Sequence, residues 1–271
     1  MNPLISIITV TYNPGIERLK KTFESVKHQT IRNQIEYLII DGKSTDSTIV
    51  WINNHKHDID FYISEPDSGI YDAMNKGVRS SNGEWVLFLN AGDQIYSQKT
   101  MEHIKEFLIN NEPDIIYGDC IQAYDDYDVY DKASPLSRLP FQMIASHQSI
   151  LCKRQLLIEY PFNLNYKICA DFNFICKVFN ENKIFYYYNA PISIVEPVGF
   201  SSANFKKNLL EKRNIVLTYF SSKRLLLYFY YTVRIIIFPF ISFLKRILPH
   251  KLLFSIRKRK YHNAQRKNAS A

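Results

Sequence analysis

The hydrophobic pattern of the first 110 residues alternates short apolar runs with amphipathic stretches. Residues 4–10 and 35–40 are continuous runs rich in β-branched side chains, which is typical of strands buried on both faces. Between them, apolar side chains recur every three or four positions from Ile16 to Val26, which predicts a helix over residues 16–28. The same pattern predicts strands at 61–64 and 85–89, and helices ending at 51 and spanning 71–79 and 99–109.

The second half of the chain is less regular. Strands are predicted at 115–118, 122–132, 147–153 and 184–188, and helices at 171–181 and 204–219. Buried strands that alternate with helices predict an α/β fold with a mostly parallel central sheet and flanking helices.

Each of the first four predicted strands is followed by polar residues. These are Thr11, Tyr12 and Asn13, then Asp41, then residues 65–67, and then residues 90–93. The ligand site of an open parallel α/β sheet lies beyond the carboxyl ends of its strands. The sequence therefore predicts a ligand site lined by carboxylates and amides at this edge.

The acidic residues at these strand ends have two interpretations each. Asp93 follows the fourth strand and could hold Mg²⁺ or Mn²⁺ together with a diphosphate, or it could belong to a turn that contains Gly92. Asp41 and Asp67 could accept hydrogen bonds from a base or a ribose, or they could cap a helix or turn. The residue types alone leave these alternatives open.

Two later positions carry further candidate chemistry. Asp171 begins a predicted helix behind an apolar approach, so it could be a general base or the N-cap of that helix. His147 and Gln148 lie among polar residues, where a histidine could contact a phosphate or an acceptor hydroxyl, or be structural.

Four segments in a fixed order resemble a known family. They are ISIITVTYN at 5–13, DGKSTDST at 41–48, DSGIYDAMNKG at 67–77 and FLNAGD at 88–93. His147-Gln148 and residues 170–172 (ADF) fit the later part of the same pattern. Over residues 3–200 the chain is similar to a family 2 inverting glycosyltransferase of the bacterial surface-polysaccharide type, which implies the Rossmann-like GT-A fold.

The resemblance implies a role for each matching position. Asp171 would be the catalytic base, and Asp93 would hold a divalent metal, Mn²⁺ or Mg²⁺. His147 and Gln148 would contact the acceptor or a phosphate. The residues implied to bind the nucleotide sugar are Thr11, Tyr12, Asn13, Asp41, Asp67, Asn75 and Lys76.

One departure from the family pattern concerns the predicted metal site. Where many relatives have two acids, this chain has Asn90 and Gly92 before Asp93, which weakens the expected affinity for the cation. The resemblance further implies a nucleoside diphosphate sugar, expected to be a UDP-sugar, as donor. A hydroxyl of a saccharide or of a polyprenyl-diphosphate-linked molecule is the expected acceptor.

The charge of the chain is divided unevenly. The 271 residues have a formal net charge of +8, but residues 1–200 carry 18 Lys+Arg and 25 Asp+Glu. Residues 201–271 carry 16 Lys+Arg and one acid, Glu211. We therefore predict a glycosyltransferase domain at 1–200 and a basic, amphipathic helical tail at 201–271.

The tail contains a candidate membrane-binding segment. Residues 225–244 are almost wholly apolar and aromatic, apart from Arg234 and Pro239, and basic residues lie on both sides. This combination favours a helix that lies in the surface of an anionic membrane. A membrane-spanning helix and a helix packed on the protein are the alternatives.

The remaining signals concern location and competing functions. Residues 1–11 lack a signal peptide and the four cysteines show no pairing pattern, so we expect a cytoplasmic protein on the inner face of the plasma membrane.

A nucleic-acid-binding protein would also use a basic tail, but this tail has no recognition module, so no nucleic-acid partner is expected. A nucleotidyltransferase of similar scaffold is the other alternative, although a Gly-rich, Lys-bearing phosphate loop is missing.

Overall fold

The computed structural model describes residues 3–124, 126–196 and 204–247, with side chains placed as far as Phe238. The strands are β1 (Ile5–Thr11), β2 (Ile35–Asp41), β3 (Phe61–Ser64), β4 (Trp85–Phe88), β5 (Gln94–Ile95), β6 (Ile115–Ala123), β7 (Asp128–Asp131), β8 (Ile150–Lys153) and β9 (Phe185–Val195). The α-helices are α1 (Ile16–Lys27), α2 (Thr48–Asn54), α3 (Ile70–Ser80), α4 (Thr100–Asn110), α5 (Arg154–Glu159), α6 (Ala170–Asn180), α7 (Phe205–Tyr219) and α8 (Arg224–Ile247).

All of these strands belong to one sheet. Its order is β3-β2-β1-β4-β8-β6-β9-β5, and β7 pairs with β6. Strands β1 to β4 are mutually parallel, β8 runs antiparallel to β4 and β6, and β9 is parallel to β6. The sheet is therefore mostly parallel, as the alternation of elements predicts, and the carboxyl ends of β1 to β4 lie at one edge.

Both faces of the sheet are covered. All seven residues of β1 are buried, which explains the continuous apolar run that its sequence shows. On one face, Ile8 belongs to the same hydrophobic cluster as Met74 of α3 and Phe172 of α6. On the other face, Ile7 shares a cluster with Phe23 of α1.

Three elements of the second half differ from the sequence prediction. Strand β6 is one run that reaches Ala123, and it turns back into β7, so the predicted strand at 122–132 is split by a hairpin. Residues His147–Ser149 form a 3-10 turn rather than the start of β8. Strand β9 extends to Val195 because its second half pairs with β6 and β5. Such pairing depends on strands that are distant in the sequence.

Helices α7 and α8 pack on the core. Leu209, Ile215 and Val216 of α7 are buried in the cluster that contains Ile8, as is Leu227 of α8. Two described helices of the predicted tail thus share a core with residues before position 200. The division at residue 200 stays a prediction.

Helix α8 contains the apolar segment 225–244, which confirms that this segment is helical. Nowhere in the described ranges does a helix combine the length and the apolar character that a membrane crossing requires. The basic run at 257–260 lies outside the described residues. The four cysteines are buried and free.

Candidate active site

The ends of β1, β2 and β3 meet around Gly42. The Gly42 amide donates to the carbonyl oxygen of Thr11 at 2.8 Å. A Cβ added at Gly42 would lie 2.5 Å from Oδ2 of Asp67 and 3.5 Å from Cβ of Tyr12. The structure therefore brings Tyr12 and Asp67 together over this glycine. Tyr12 is 65% exposed, so its ring is open to a ligand.

Asn13 holds the loop that follows β2. Its backbone has a φ of 45°, and its amide donates to Oγ of Ser44 at 2.7 Å. Its Oδ1 accepts hydrogen bonds from the amides of Thr45 at 2.7 Å and Asp46 at 3.2 Å. The side chain of Asn13 thus links the end of β1 to the turn after β2.

Asp41 is completely buried beneath the same loop. Its Oδ2 accepts hydrogen bonds from the amide of Ser44 at 2.8 Å and from Oγ of Ser64 at 2.6 Å. The Ser44 hydroxyl donates to Oδ1. Asp41 therefore shapes the loop and has no surface exposed to a ligand. Thr11 is also buried, and its Oγ1 has no hydrogen-bond partner among the described atoms.

Asn75 and Lys76 on α3 hold neighbouring loops. The side-chain amide of Asn75 makes two hydrogen bonds with the backbone of Phe162, each at 2.9 Å. Lys76 Nζ donates to the carbonyl oxygen of Pro66 at 2.7 Å and pairs with Glu65 at 2.8 Å. Both side chains contact protein groups, and Lys76 fixes the residues immediately before Asp67.

Asp93 and Gln148 are in direct contact. Gln148 Nε2 donates to Oδ2 of Asp93 at 2.7 Å, and the amide of Glu196 donates to Oδ1 at 3.0 Å. Asp93 is only 5% exposed, and burial raises the pKa of its carboxyl above the ordinary value, although both hydrogen bonds act in the opposite direction. Asp93 thus joins the turn after β4 to residues from two later segments.

Asp171 lies at the start of α6 in a network of polar side chains. Its Oδ1 accepts hydrogen bonds from the Tyr71 hydroxyl at 2.9 Å and from the amide of Phe172 at 2.8 Å. Its Oδ2 lies 3.7 Å from Nδ1 of His147, whose Nε2 is 3.2 Å from Nδ2 of Asn90. The structure therefore brings together Asp171 and His147, which the sequence predicts separately.

Tyr71 also belongs to this network, although its sequence position does not identify it as a functional residue. Its ring is buried, and the single proton of its hydroxyl is shared between Asp171 Oδ1 and the carbonyl oxygen of Ile168, which lies 2.7 Å from the hydroxyl oxygen. Burial, reinforced by the negative charge of Asp171, raises the pKa of Tyr71 well above its ordinary value. Tyr71 therefore remains a protonated hydrogen-bond donor to Asp171. Its position in a helical apolar pattern indicates only a core residue.

A cavity of about 350 Å³ opens beside Asp171. Its lining includes His147, Gln148, Asp171 and Glu196, together with Lys167 and Lys212. Glu196 forms an ion pair with Arg18 at 2.7 Å. The cavity therefore combines two partly exposed carboxylates, those of Asp171 and Glu196, with two lysines. Glu196 and the two lysines carry no motif by which the sequence could have identified them.

The residues near Asp93 offer oxygen atoms to a hard cation. Asn90 Oδ1 is buried and has no hydrogen-bond partner among the described atoms, and Asp93 supplies a carboxylate in the same turn. Mg²⁺ is commonly held by one or two carboxylates together with substrate phosphates and water. Among the described residues, no three His, Cys, Asp or Glu side chains form a metal-binding group. Because both Asp93 oxygens already accept hydrogen bonds, from Gln148 and from the amide of Glu196, this donor set fits only a cation held largely by the phosphates of a ligand.

Comparison with known proteins identifies related sequences. The family model described as Glycosyl transferase family 2 matches residues 6–181. A Mycobacterium bovis protein described as a PGL/p-HBAD biosynthesis glycosyltransferase is 32% identical over 217 residues, which cover 78% of this chain and 84% of the relative. A Mycobacterium tuberculosis protein with the same description matches to the same extent.

Solved structures share the fold at low sequence identity. The S. aureus TarS fragment 1–349 in complex with UDP has a TM-score of 0.65 and 17% identity, covering 85% of this chain and 71% of that one. The mannosyltransferase PcManGT from Pyrobaculum calidifontis, in complex with GDP-Man and Mn²⁺, has a TM-score of 0.62 and 16% identity, covering 79% and 63%. These likenesses are consistent with the predicted GT-A fold.

Proposed function

The chain belongs to glycosyl transferase family 2, and we propose that it is an inverting enzyme that moves a sugar from a nucleoside diphosphate sugar to an acceptor hydroxyl. The observation that carries this proposal is the placement of Asp171. Its side chain is 21% exposed, it borders the cavity, and it is held in place by Tyr71. A carboxylate so placed can accept a proton from a hydroxyl bound in the cavity.

The hydrogen bonds of Asp171 favour one of its two oxygens as the base. Oδ1 accepts hydrogen bonds from Tyr71 and Phe172, whereas Oδ2 faces His147 at a longer distance. We assign Oδ2 as the atom that takes the proton of the acceptor hydroxyl. The acceptor oxygen bonds to the anomeric carbon as the bond to the diphosphate oxygen breaks on the opposite face. A single displacement of this kind inverts the anomeric configuration.

The nucleotide is proposed to bind at the ends of β1, β2 and β3. The exposed ring of Tyr12 offers a surface for stacking, and the Asp67 carboxylate can accept hydrogen bonds from a base or a ribose. Thr11, Asn13 and Asp41 contribute by shaping the loops around this pocket. Lys76 supports the pocket from α3 because it binds the carbonyl oxygen of Pro66, next to Asp67, whereas Asn75 holds the backbone of Phe162.

The nature of the donor is supported by the ligands of the structural neighbours. UDP is bound in one neighbour and GDP-Man with Mn²⁺ in another. We propose a UDP-sugar that carries a hexose or an N-acetylhexosamine. Asp93, with Asn90 beside it, would hold Mn²⁺ or Mg²⁺, and such a cation neutralises charge on a leaving diphosphate.

The acceptor is proposed to carry negative charge. Lys167 and Lys212 bring two cations to the cavity that contains Asp171, and Lys212 Nζ lies 5.5 Å above the Phe172 ring. Phosphate groups are favourable partners for such lysines. His147 and Gln148 border the same cavity and would contact the acceptor or a phosphate. A saccharide linked to a polyprenyl diphosphate meets these requirements, and it is a substrate of cell-surface polysaccharide synthesis in bacteria.

Helix α8 is proposed to lie on the inner face of the plasma membrane. Leu227 and Tyr231 on one side are fully buried, and the Tyr231 hydroxyl donates to the carbonyl oxygen of Pro140 at 3.2 Å. Phe229 and Ile236 point away from the protein and are 58% and 69% exposed. An apolar face with basic residues around it is suited to an anionic bilayer surface. This location would bring the cavity close to a lipid-linked acceptor.

The proposal is tested first by finding the donor. Thermal unfolding of the full chain with Mn²⁺ is measured against UDP-glucose, UDP-GlcNAc and GDP-mannose, because a ligand that binds only the native state raises the melting temperature. The selected donor is then incubated with a membrane extract, and nucleoside diphosphate release and the anomeric configuration of the product are measured. Release of nucleoside diphosphate with inversion is expected. Release of inorganic diphosphate, or retention of configuration, would contradict the proposal.

A further inference from the structure

The only acidic residue after position 200 is buried against the loop that precedes α6. Glu211 on α7 is 9% exposed. Its Oε1 accepts a hydrogen bond from the amide of Lys167 at 3.1 Å, and its Oε2 accepts from the amides of Ile168 at 2.9 Å and Cys169 at 3.0 Å. One carboxylate thus satisfies three consecutive backbone donors.

These three donors lie in the loop that leads directly into α6. Cys169 is the residue before the helix, and Asp171 is the second residue inside it. Backbone amides at a helix start lack partners within the helix, and negative charge is favourable there. Cys169 makes no side-chain capping hydrogen bond, and within the first turn Asp171 accepts the amide of Phe172. Glu211 therefore caps the entry to α6 from another helix, because it accepts the amide of Cys169 and the two amides before it.

The loop of residues 167–169 is also held by Tyr71 on α3 and by a second contact with α7. The carbonyl oxygen of Ile168 accepts a hydrogen bond from Tyr71, whose hydroxyl also contacts Asp171. The Cys169 thiol donates to the carbonyl oxygen of Asn208 on α7 at 3.6 Å. A continuous set of hydrogen bonds therefore leads from Glu211, through the loop and Tyr71, to the Asp171 carboxylate.

We propose that Glu211 is a positioning residue that fixes the orientation of Asp171 for proton transfer. This proposal rests on the proposed role of Asp171 as the base. Without the Glu211 carboxylate, the amides of buried Ile168 and Cys169 lose their acceptor, so the loop rearranges to satisfy them. This rearrangement of the loop moves both the Ile168 carbonyl that Tyr71 binds and the start of α6. The nucleotide pocket around Gly42 lies on other elements and keeps its shape.

The experiment compares Glu211→Ala and Glu211→Gln with Ile215→Val in the full chain. Ile215 is fully buried one turn further along α7 and offers no hydrogen-bond acceptor, so its variant controls for loosening of the helix. Three quantities are measured for each protein. These are hydrogen exchange in the peptide covering 163–172, the Kd of UDP with Mn²⁺, and kcat with the selected donor and membrane extract.

We expect the two Glu211 variants to differ in the size of their effect. Both should change kcat and hydrogen exchange in the 163–172 peptide, but not the Kd of UDP. In Glu211→Ala the 163–172 peptide exchanges faster and kcat falls about 30-fold, with the Kd of UDP within about twofold of wild type. Glu211→Gln keeps one acceptor oxygen and falls between wild type and Glu211→Ala. Ile215→Val keeps wild-type exchange in this peptide and wild-type kcat below its melting temperature. If Glu211→Ala does not fold, the same comparison is made with Glu211→Gln.

Four outcomes would overturn the proposal. An unchanged kcat would show that the base does not depend on this cap. A parallel loss of kcat and UDP affinity, or an equal loss of kcat in Ile215→Val, would show a general structural role. A wild-type chain that binds UDP but releases none from the donor would overturn the proposed function itself, and with it this role.

Discussion

The Tyr71 hydroxyl lies 2.9 Å from Oδ1 of Asp171 and connects α3 to the start of α6. The two residues are 100 positions apart in the sequence. Because burial keeps the Tyr71 hydroxyl protonated, the hydrogen bond has a fixed direction, with Tyr71 as donor and the carboxylate as acceptor. Oδ2 takes part in neither of the hydrogen bonds to Oδ1 and lies 3.7 Å from Nδ1 of His147.

Tyr71→Phe removes this donor while it keeps the buried ring. We expect kcat to fall by about tenfold, since the loss of one hydrogen bond to a charged group is worth about 1.5–3 kcal/mol. The Kd of UDP should stay at the wild-type value. Steady-state kinetics and calorimetry check the two quantities. Equal loss of turnover and UDP affinity would contradict an effect through Asp171.

Asp171→Asn removes the proposed base. Transfer should fall by about 100-fold or more, because general base catalysis typically contributes 10²–10⁴-fold. Donor binding should persist, since the amide is nearly the same size as the carboxylate. Glu181→Gln, at the exposed far end of α6, is the matched control for loss of one negative charge. Near-normal turnover of Asp171→Asn would refute the assignment.

Gly42→Ala tests the nucleotide pocket. The added Cβ would lie 2.5 Å from the Asp67 carboxylate, so that side chain must move. We expect UDP affinity to fall by about tenfold, which is about 1.4 kcal/mol of binding free energy. Calorimetry with UDP measures the change. Gly83→Ala is unsuitable as a control, because the added Cβ would collide with the backbone of Ile5. Wild-type affinity in Gly42→Ala would place the nucleotide elsewhere.

Asp93→Ala tests the proposed cation site. UDP affinity in the presence of Mn²⁺ should fall by about tenfold or more. Removing a carboxylate that binds the metal lowers the affinity at least as much as removing a residue that only hydrogen-bonds to a metal ligand. UDP affinity in EDTA should differ little between the variant and the wild type. Calorimetry in both conditions separates these effects. Unchanged affinity with Mn²⁺ would argue against Asp93 as a metal ligand.

Ile236→Ser tests the exposed face of α8. Flotation of the full chain with vesicles that contain phosphatidylglycerol should decrease, since the substitution removes apolar area that the bilayer would bury. Ile109→Ser is the matched control, because Ile109 is 73% exposed on α4 and Ile236 is 69% exposed. Binding of wild type should weaken as NaCl is raised. Equal flotation of both variants and wild type would reject α8 as the contact surface.

Strands β1 and β2 show where a local sequence pattern is sufficient to predict an element. Strands such as β1 and β2 carry continuous apolar runs because both of their faces are buried, so their positions could be predicted within one residue. The split of β6 from β7 and the full length of β9 could not be predicted, because the hydrogen bonds that define them come from distant strands.

The amino-acid sequence by itself determined the α/β order of the elements, the family of the chain, and the strand ends at which Tyr12, Asp67 and Asp93 occur. These depend on local periodicity and on short motifs, which are properties of neighbouring residues. The tertiary structure decided that Asp41, Asn75 and Lys76 contact protein groups, and that Tyr71 and Glu211 support Asp171. Hydrogen bonds between residues far apart in the chain depend on how the helices pack on the sheet. No local sequence pattern indicates how the helices pack on the sheet.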